Sequence, residues 1–255
     1  MYSQGYRSGG LMSSLPPMLK NLLIAHTAVF LFQTFGRIFL PFPLIRYFAL
    51  IPGETVFHLQ LWRPITYLFL HADPLHFLFN MLMLYWFGRP LEEAWGGKRF
   101  LRFYLVCGIG AGLFTTLVSL LLPHLNLMGI GIGNVTIGAS GAICGLIMAM
   151  ALLFPYQQIL LYFLFPISMR HACYIFIGLD VLFALWSPAN QVSVITHLGG
   201  FFVGWLYLTG GKGRPWRRLW WRIQSTWERA RDRRKMRNFR VIRNDEDEGR
   251  GPTLH

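Results

Sequence analysis

The sequence predicts an all-α membrane protein, a bundle of six transmembrane helices. Three observations carry that prediction: 54% of the 255 residues are hydrophobic and only 14% charged, mean hydropathy is +0.41, and six apolar stretches recur along the chain. A hydrocarbon core of roughly 30 Å takes about 20 helical residues to cross. The six stretches, near 19–38, 66–87, 100–122, 138–154, 170–186 and 192–209, approach that length. The last three are the shortest, which suits a locally thin bilayer or a cavity open to water.

Three regions follow. Residues 1–18 are a polar N-terminal segment with no small-residue cleavage site, so the first apolar stretch reads as an uncleaved anchor. Residues 19–209 form the membrane domain. Within it, the long first loop (41–65) carries Pro41, Pro43, Pro52 and several aromatics, and is expected to lie amphipathically at the outer interface. Segment 155–168 is too short to span and is expected along the cytoplasmic face. Residues 210–255 form a tail, amphipathic at first (Trp216, Leu219, Trp220, Ile223 and Trp227 among arginines) and then acidic and disordered from Asn244.

Charge orients the bundle. The formal net charge is +13, and from Lys212 onward 14 Lys/Arg stand against 6 Asp/Glu, so the basicity belongs to the tail. A basic segment just after a membrane helix points to anionic lipid headgroups as its partner, not to nucleic acid. Arg7 and Lys20 precede the first span; Arg89, Lys98, Arg99 and Arg102 follow the second, and Arg170 begins the fifth. The opposite loops hold only Arg37, Arg46 and Arg63, with none in 123–137 or 187–191. The positive-inside rule therefore puts both termini in the cytoplasm. The compact chain fits a bacterial inner membrane. The sequence leaves the oligomeric state open. Cys107, Cys144 and Cys173 show neither metal spacing nor a disulfide framework.

The chemistry lies in the few polar residues inside the spans. Ser140 sits in Gly138-Ala139-Ser140-Gly141-Ala142 at the head of the fourth span, and His197 in the sixth. An imidazole facing lipid is expensive, so His197 should face a partner inside the protein. At 1.5 Å per residue, Ser140 lies about 21 Å above residue 154 and His197 about 18 Å above residue 209. His76, in the second span, lies about 16 Å above residue 87, with Asn80 one turn deeper on the same face. These groups share one layer. Gly141/Gly145 and Gly200/Gly204 are Gly-xxx-Gly steps beside the serine and the histidine, and let helix backbones approach closely.

Such a layer suits acyl transfer, with a serine nucleophile, a histidine base, and His76, Asn80 and the Ser140 N–H as oxyanion donors. His76 and Asn80 could equally be interhelical polar glue. His71 and His76 are five residues apart, with Pro74 between them and no third ligand, so no metal or cofactor is expected. Asp180, in the fifth span, has no sequence link to His197 and is expected to make a structural hydrogen bond, with orientation of the histidine as the alternative. The Gly129, Gly131, Gly133 run reads as a flexible outer loop, since no strand or lysine accompanies it.

Across roughly residues 19–209 the chain resembles the rhomboid family of intramembrane serine proteases. The resemblance rests on Gly138-Ala139-Ser140-Gly141, on His197 with Gly200 and Gly204, on His71 and His76-Phe77-Leu78-Phe79-Asn80, and on Trp62-Arg63 in the first loop. It implies a Ser140–His197 dyad without a catalytic acid, His76 and Asn80 as oxyanion donors, and a water-filled cavity open to the outer face. It also implies a substrate that is a transmembrane segment admitted laterally near the second and fifth spans, for which Gly138 and Trp186 are the expected contacts. Two positions depart from the family. Cys144 stands where an aromatic often packs on the histidine, and Thr196 where a small residue is usual; Ser193 or Thr196 could steady the ring instead. Two rivals are a non-proteolytic rhomboid-like protein that binds membrane helices, which typically lacks the serine or histidine, and a solute channel, which predicts internal repeats not seen here.

Overall fold

The computed structural model describes residues 15–39, 44–121, 131–161, 165–186 and 191–210. The first helix, α1 (Pro17–Phe39), has a proline in its first turn, where a missing N–H costs nothing. The next amides find a carboxylate: Met18 N and Leu19 N donate to Glu92 at 2.9 and 2.6 Å. Glu92 is buried, and a negative group at a helix N-terminus also complements the helix dipole.

The first loop forms three short helices, α2 (Leu44–Phe48), α3 (Pro52–Phe57) and α4 (Arg63–Thr66), the last running into a 3₁₀ turn at Tyr67–Phe69. The buried Arg63 ties them together: its guanidinium donates to Ala49 O (2.5 Å), Arg46 O (2.9 Å) and Gln60 Oε1 (2.7 Å). Desolvation pulls the Arg63 pKa below its ordinary value, and the Glu54 carboxylate opposes that pull.

Helix α5 (Pro74–Trp95) starts later and ends later than the stretch 66–87 predicted for the second span. Asp73 caps it, accepting from His76 N at 2.9 Å, and Pro74 occupies the first turn, so residues 66–73 cannot be part of the helix. At the far end the helix continues through Arg89, Glu92 and Glu93, where the α1 amides hydrogen-bond the Glu92 carboxylate and Arg89 bonds Glu93 at 2.9 Å. Gly96, at φ +78°, turns the chain directly into α6 (Gly97–Leu121).

Helix α7 (Ser140–Leu153) is apolar on every face, as befits a helix packed on all sides. Nearly all its residues are buried, against α5, α6, α8 (Met169–Trp186) and α9 (Gln191–Thr209). Segment 155–168, too short to span, contains an antiparallel strand pair, β1 (Gln158–Leu161) and β2 (Phe165–Ser168), with Gln158 opposite Ser168. Ile, Leu and Phe favour extended pairing, and Pro166 bars a helix.

Among the described residues three helices are long and apolar enough to cross a membrane: Pro17–Gly36, Gly97–Leu121 and Val192–Thr209; α7 is apolar but shorter. Helix α5 has the length but carries Arg89, Glu92 and Glu93. Exposed large apolar side chains, among them Phe32 and Phe35 on α1, Leu113 and Leu117 on α6, Phe183 and Leu185 on α8 and Phe202 and Trp205 on α9, face outward as in a lipid-facing bundle. The tail after residue 210, with the lipid partner predicted for it, lies outside the described residues.

Candidate active site

Ser140 is the first residue of α7, half-buried, preceded by Ala139 in a helical conformation. Its N–H therefore belongs to the first turn, which has no acceptor within the helix. The approach to Ser140 is held in place from the first loop. Leu50 and Thr136 exchange backbone hydrogen bonds at 3.0 and 2.9 Å, Gly53 N donates to Ile132 O at 2.7 Å, and Gly138 N donates to Tyr67 O at 2.9 Å. Tyr67 in turn donates its hydroxyl to Gly108 O on α6 at 2.6 Å.

Gly138 is buried with φ +122°, a conformation other residues rarely adopt. A Cβ there would lie 3.0 Å from both Cε1 and Nε2 of His76 and 3.8 Å from Ser140 Oγ. So His76 from α5 stands against the backbone just before Ser140, its Nε2 edge inward. Its Nδ1 lies 3.4 Å from Ala72 N and can only accept from that N–H, which leaves the proton on Nε2. Asn80 is buried and spends one amide hydrogen on His76 O at 2.8 Å. His71, also buried, packs edge-on to His76 at 5.3 Å and to His26 of α1 at 5.8 Å. Among the described residues His71 Nε2 and His26 Nδ1 have no hydrogen-bond partner. His26 had no distinguishing pattern in the sequence; only the fold brings it to this layer.

His197 arrives on α9, which packs directly on α7. A Cβ on Gly200 would run into Gly141 O, and one on Gly204 would lie 3.0 Å from Gly145 Cα, so the paired glycine steps do set the helix contact. His197 Nδ1 lies 3.1 Å from both Oδ1 and Oδ2 of Asp180 on α8, and both side chains are about four-fifths buried (22% and 21% exposed). The structural hydrogen bond expected for Asp180 thus goes to the histidine itself. Cys144, one turn below Ser140, is close by: its Sγ, an Asp180 oxygen and a His197 nitrogen lie within 4.8 Å of one another. These three, and not His71 with His76, are the atoms among the described residues that could hold a metal. The hydroxyl of Thr196 bonds Thr115 (2.8 Å) and Val192 O (2.9 Å), and Ser193 is exposed, so neither steadies the imidazole. Trp186, at the end of α8, is 81% exposed.

The same region aligns with known proteins. The family model for the Rhomboid domain matches residues 58–212. Rhomboid-like protein 19 of Arabidopsis thaliana is 25% identical over 171 residues, 67% of this chain and 55% of that protein. Rhomboid protein 1, mitochondrial, of Saccharomyces cerevisiae is 31% identical over 175 residues, 65% of this chain and 43% of that protein. Rhomboid-like protease 3 of Toxoplasma gondii is 31% identical over 146 residues, 57% of this chain and 49% of that protein. The chain spans about half the length of these relatives, and all three are eukaryotic, so they lend nothing to a bacterial origin. The domain match runs from the end of the first loop through α9 and contains Ser140, His197, His76 and Asn80; this chain belongs to the rhomboid family of membrane-embedded proteins.

Proposed function

We propose that the protein is an intramembrane serine endopeptidase that cleaves transmembrane substrates near the outer side of the membrane. The observation that carries this reading is the meeting of three chemistries around the N-terminus of α7. Ser140 begins the helix, His76 stands against Gly138 beside it, and His197 projects from the helix packed on the same glycine face. In this reading Ser140 Oγ attacks the scissile carbonyl as His197 Nε2 takes its proton, and the tetrahedral oxyanion is held by the Ser140 N–H, His76 Nε2–H and the second amide hydrogen of Asn80. His197 then passes the proton to the leaving amine and the C–N bond breaks. A water, activated by the same ring, cleaves the acyl ester and restores Ser140.

No hydrogen bond joins the Ser140 hydroxyl to His197 among the described residues. Such contacts tighten when substrate docks, and the close packing of α7 on α9 at Gly141/Gly200 and Gly145/Gly204 supports the pairing. The outward faces of α5 (Leu75, Leu78, Phe79) and α8 (Leu182, Phe183, Leu185, Trp186) are exposed and apolar, while lower down Phe87 meets Phe176 at 6.5 Å. A seam between these two helices suits a substrate segment arriving from lipid, with Gly138 and Trp186 as its proposed contacts. Six spans, with both termini on the side of the basic loops, complete the reading. In liposomes bearing a single-span reporter, Ser140→Ala and His197→Ala are each expected to abolish cleavage; a purified Ser140→Ala protein that still cuts would overturn the assignment.

A further inference from the structure

We infer that Asp180 is a positioning residue for His197, so that the base of the proposed pair is held by an acid on a third helix. The inference rests on the reading of Ser140 and His197 as nucleophile and base, and departs from the dyad without an acid that the family resemblance implies.

The geometry carries it. Asp180 presents both carboxylate oxygens to His197 Nδ1 at 3.1 Å, and an ionised carboxylate can only accept, so Nδ1 holds the proton. That fixes the tautomer with the lone pair on Nε2, the nitrogen required to take a serine proton. The same carboxylate faces the positive charge that the ring acquires once it has done so. Nothing else among the described residues orients the ring. Among the described residues no aromatic side chain stacks on His197, the Thr196 hydroxyl is committed to Thr115 and Val192 O, and the neighbour one turn from Ser140 is the thiol of Cys144. Asp180 itself has no other hydrogen-bond or ion-pair partner among the described residues, although it lies in the middle of an apolar helix. A carboxylate kept there at the cost of its desolvation, aimed solely at the imidazole, has a functional explanation and lacks a structural one.

The test compares Asp180→Asn and Asp180→Glu with the intact protein in liposomes bearing a single-span reporter, and reads the protonated ring nitrogen of His197 by ¹⁵N NMR of histidine-labelled protein. Asp180→Asn is expected to lower kcat on the order of 10²- to 10⁴-fold with KM changed by less than about threefold. Asp180→Glu should restore part of the loss, and the intact protein should carry the His197 proton on Nδ1 alone. An Asp180→Asn protein with undiminished kcat overturns the inference. If that variant does not fold, the intact protein decides: a proton on His197 Nε2 at the working pH overturns it. Cleavage surviving in Ser140→Ala would instead remove the parent reading. Loss in Ser140→Ala with full activity in Asp180→Asn removes only this inference.

Discussion

Gly138 meets two demands at once. Its φ of +122° strains any residue with a Cβ, and the space a Cβ would need is taken by the His76 ring. Gly138→Ala should therefore cost roughly 1–3 kcal/mol of stability and push His76 from the site, so cleavage should fall further than the lowered melting temperature accounts for. His76→Leu removes one proposed oxyanion donor and should lower kcat about 10²- to 10³-fold while the protein keeps its thermal stability; steady-state kinetics and a melting curve on the same preparation check both halves. Ser140, His76 and Asn80 were legible in the sequence because a serine set in glycines and a His–Asn pair four apart on one helix are local patterns. The Asp180–His197 contact was not. Depth along a helix follows from counting residues, but whether two side chains on different helices turn toward each other depends on the rotation of α8 about its axis, which no pattern within either helix reports. Cys144 was legible, as the residue one turn from the serine, but its approach to Asp180 was not.

Helix contacts were legible where small residues mark them. The Gly-xxx-Gly steps of α7 and α9 do meet, and Gly200 is the tightest point, its missing Cβ replaced by the carbonyl of Gly141. Gly200→Ala should force α9 away from α7, with a loss of about 1–3 kcal/mol and of activity. Gly178, on α8, has nothing within 4 Å of a built Cβ, so Gly178→Ala should be neutral or add roughly 0.5–1 kcal/mol. Paired thermal unfolding in detergent separates the two. Helix ends were less legible. The second span was placed at 66–87, yet α5 is shifted by about two turns, because Asp73 and Pro74 fix its start while Glu92 is retained inside the protein as the cap of α1. Hydropathy cannot see a charge neutralised by another helix. Glu92→Gln keeps the shape but weakens that cap, and should destabilise the protein by about 1–3 kcal/mol, again read as a melting shift. The strand pair in 158–168 escaped for a related reason: a short apolar run does not distinguish strand from surface segment until its partner is known.

At the scale of the whole molecule, the sequence reading and the structure agree on a helical membrane protein, the structure packs α7 against α5, α6, α8 and α9, and the Rhomboid domain match places the chain in its family. Among the described residues three helices meet the length and hydropathy of a span outright. The proposed count of six is even, and under the positive-inside rule it is expected to put the basic loops on one side. In sealed inside-out vesicles, tags at the two termini should both be cut by added protease, while a tag inserted between Phe57 and Trp62 should be protected; termini of opposite accessibility would rule out an even count. The central claim is narrower: a hydroxyl on α7 is made nucleophilic by an imidazole on α9. A fluorophosphonate probe followed by peptide mass spectrometry tests it most directly. The account predicts a single adduct on Ser140 that vanishes in His197→Ala, and an adduct on another residue, or one on Ser140 that forms as fast without His197, would contradict it.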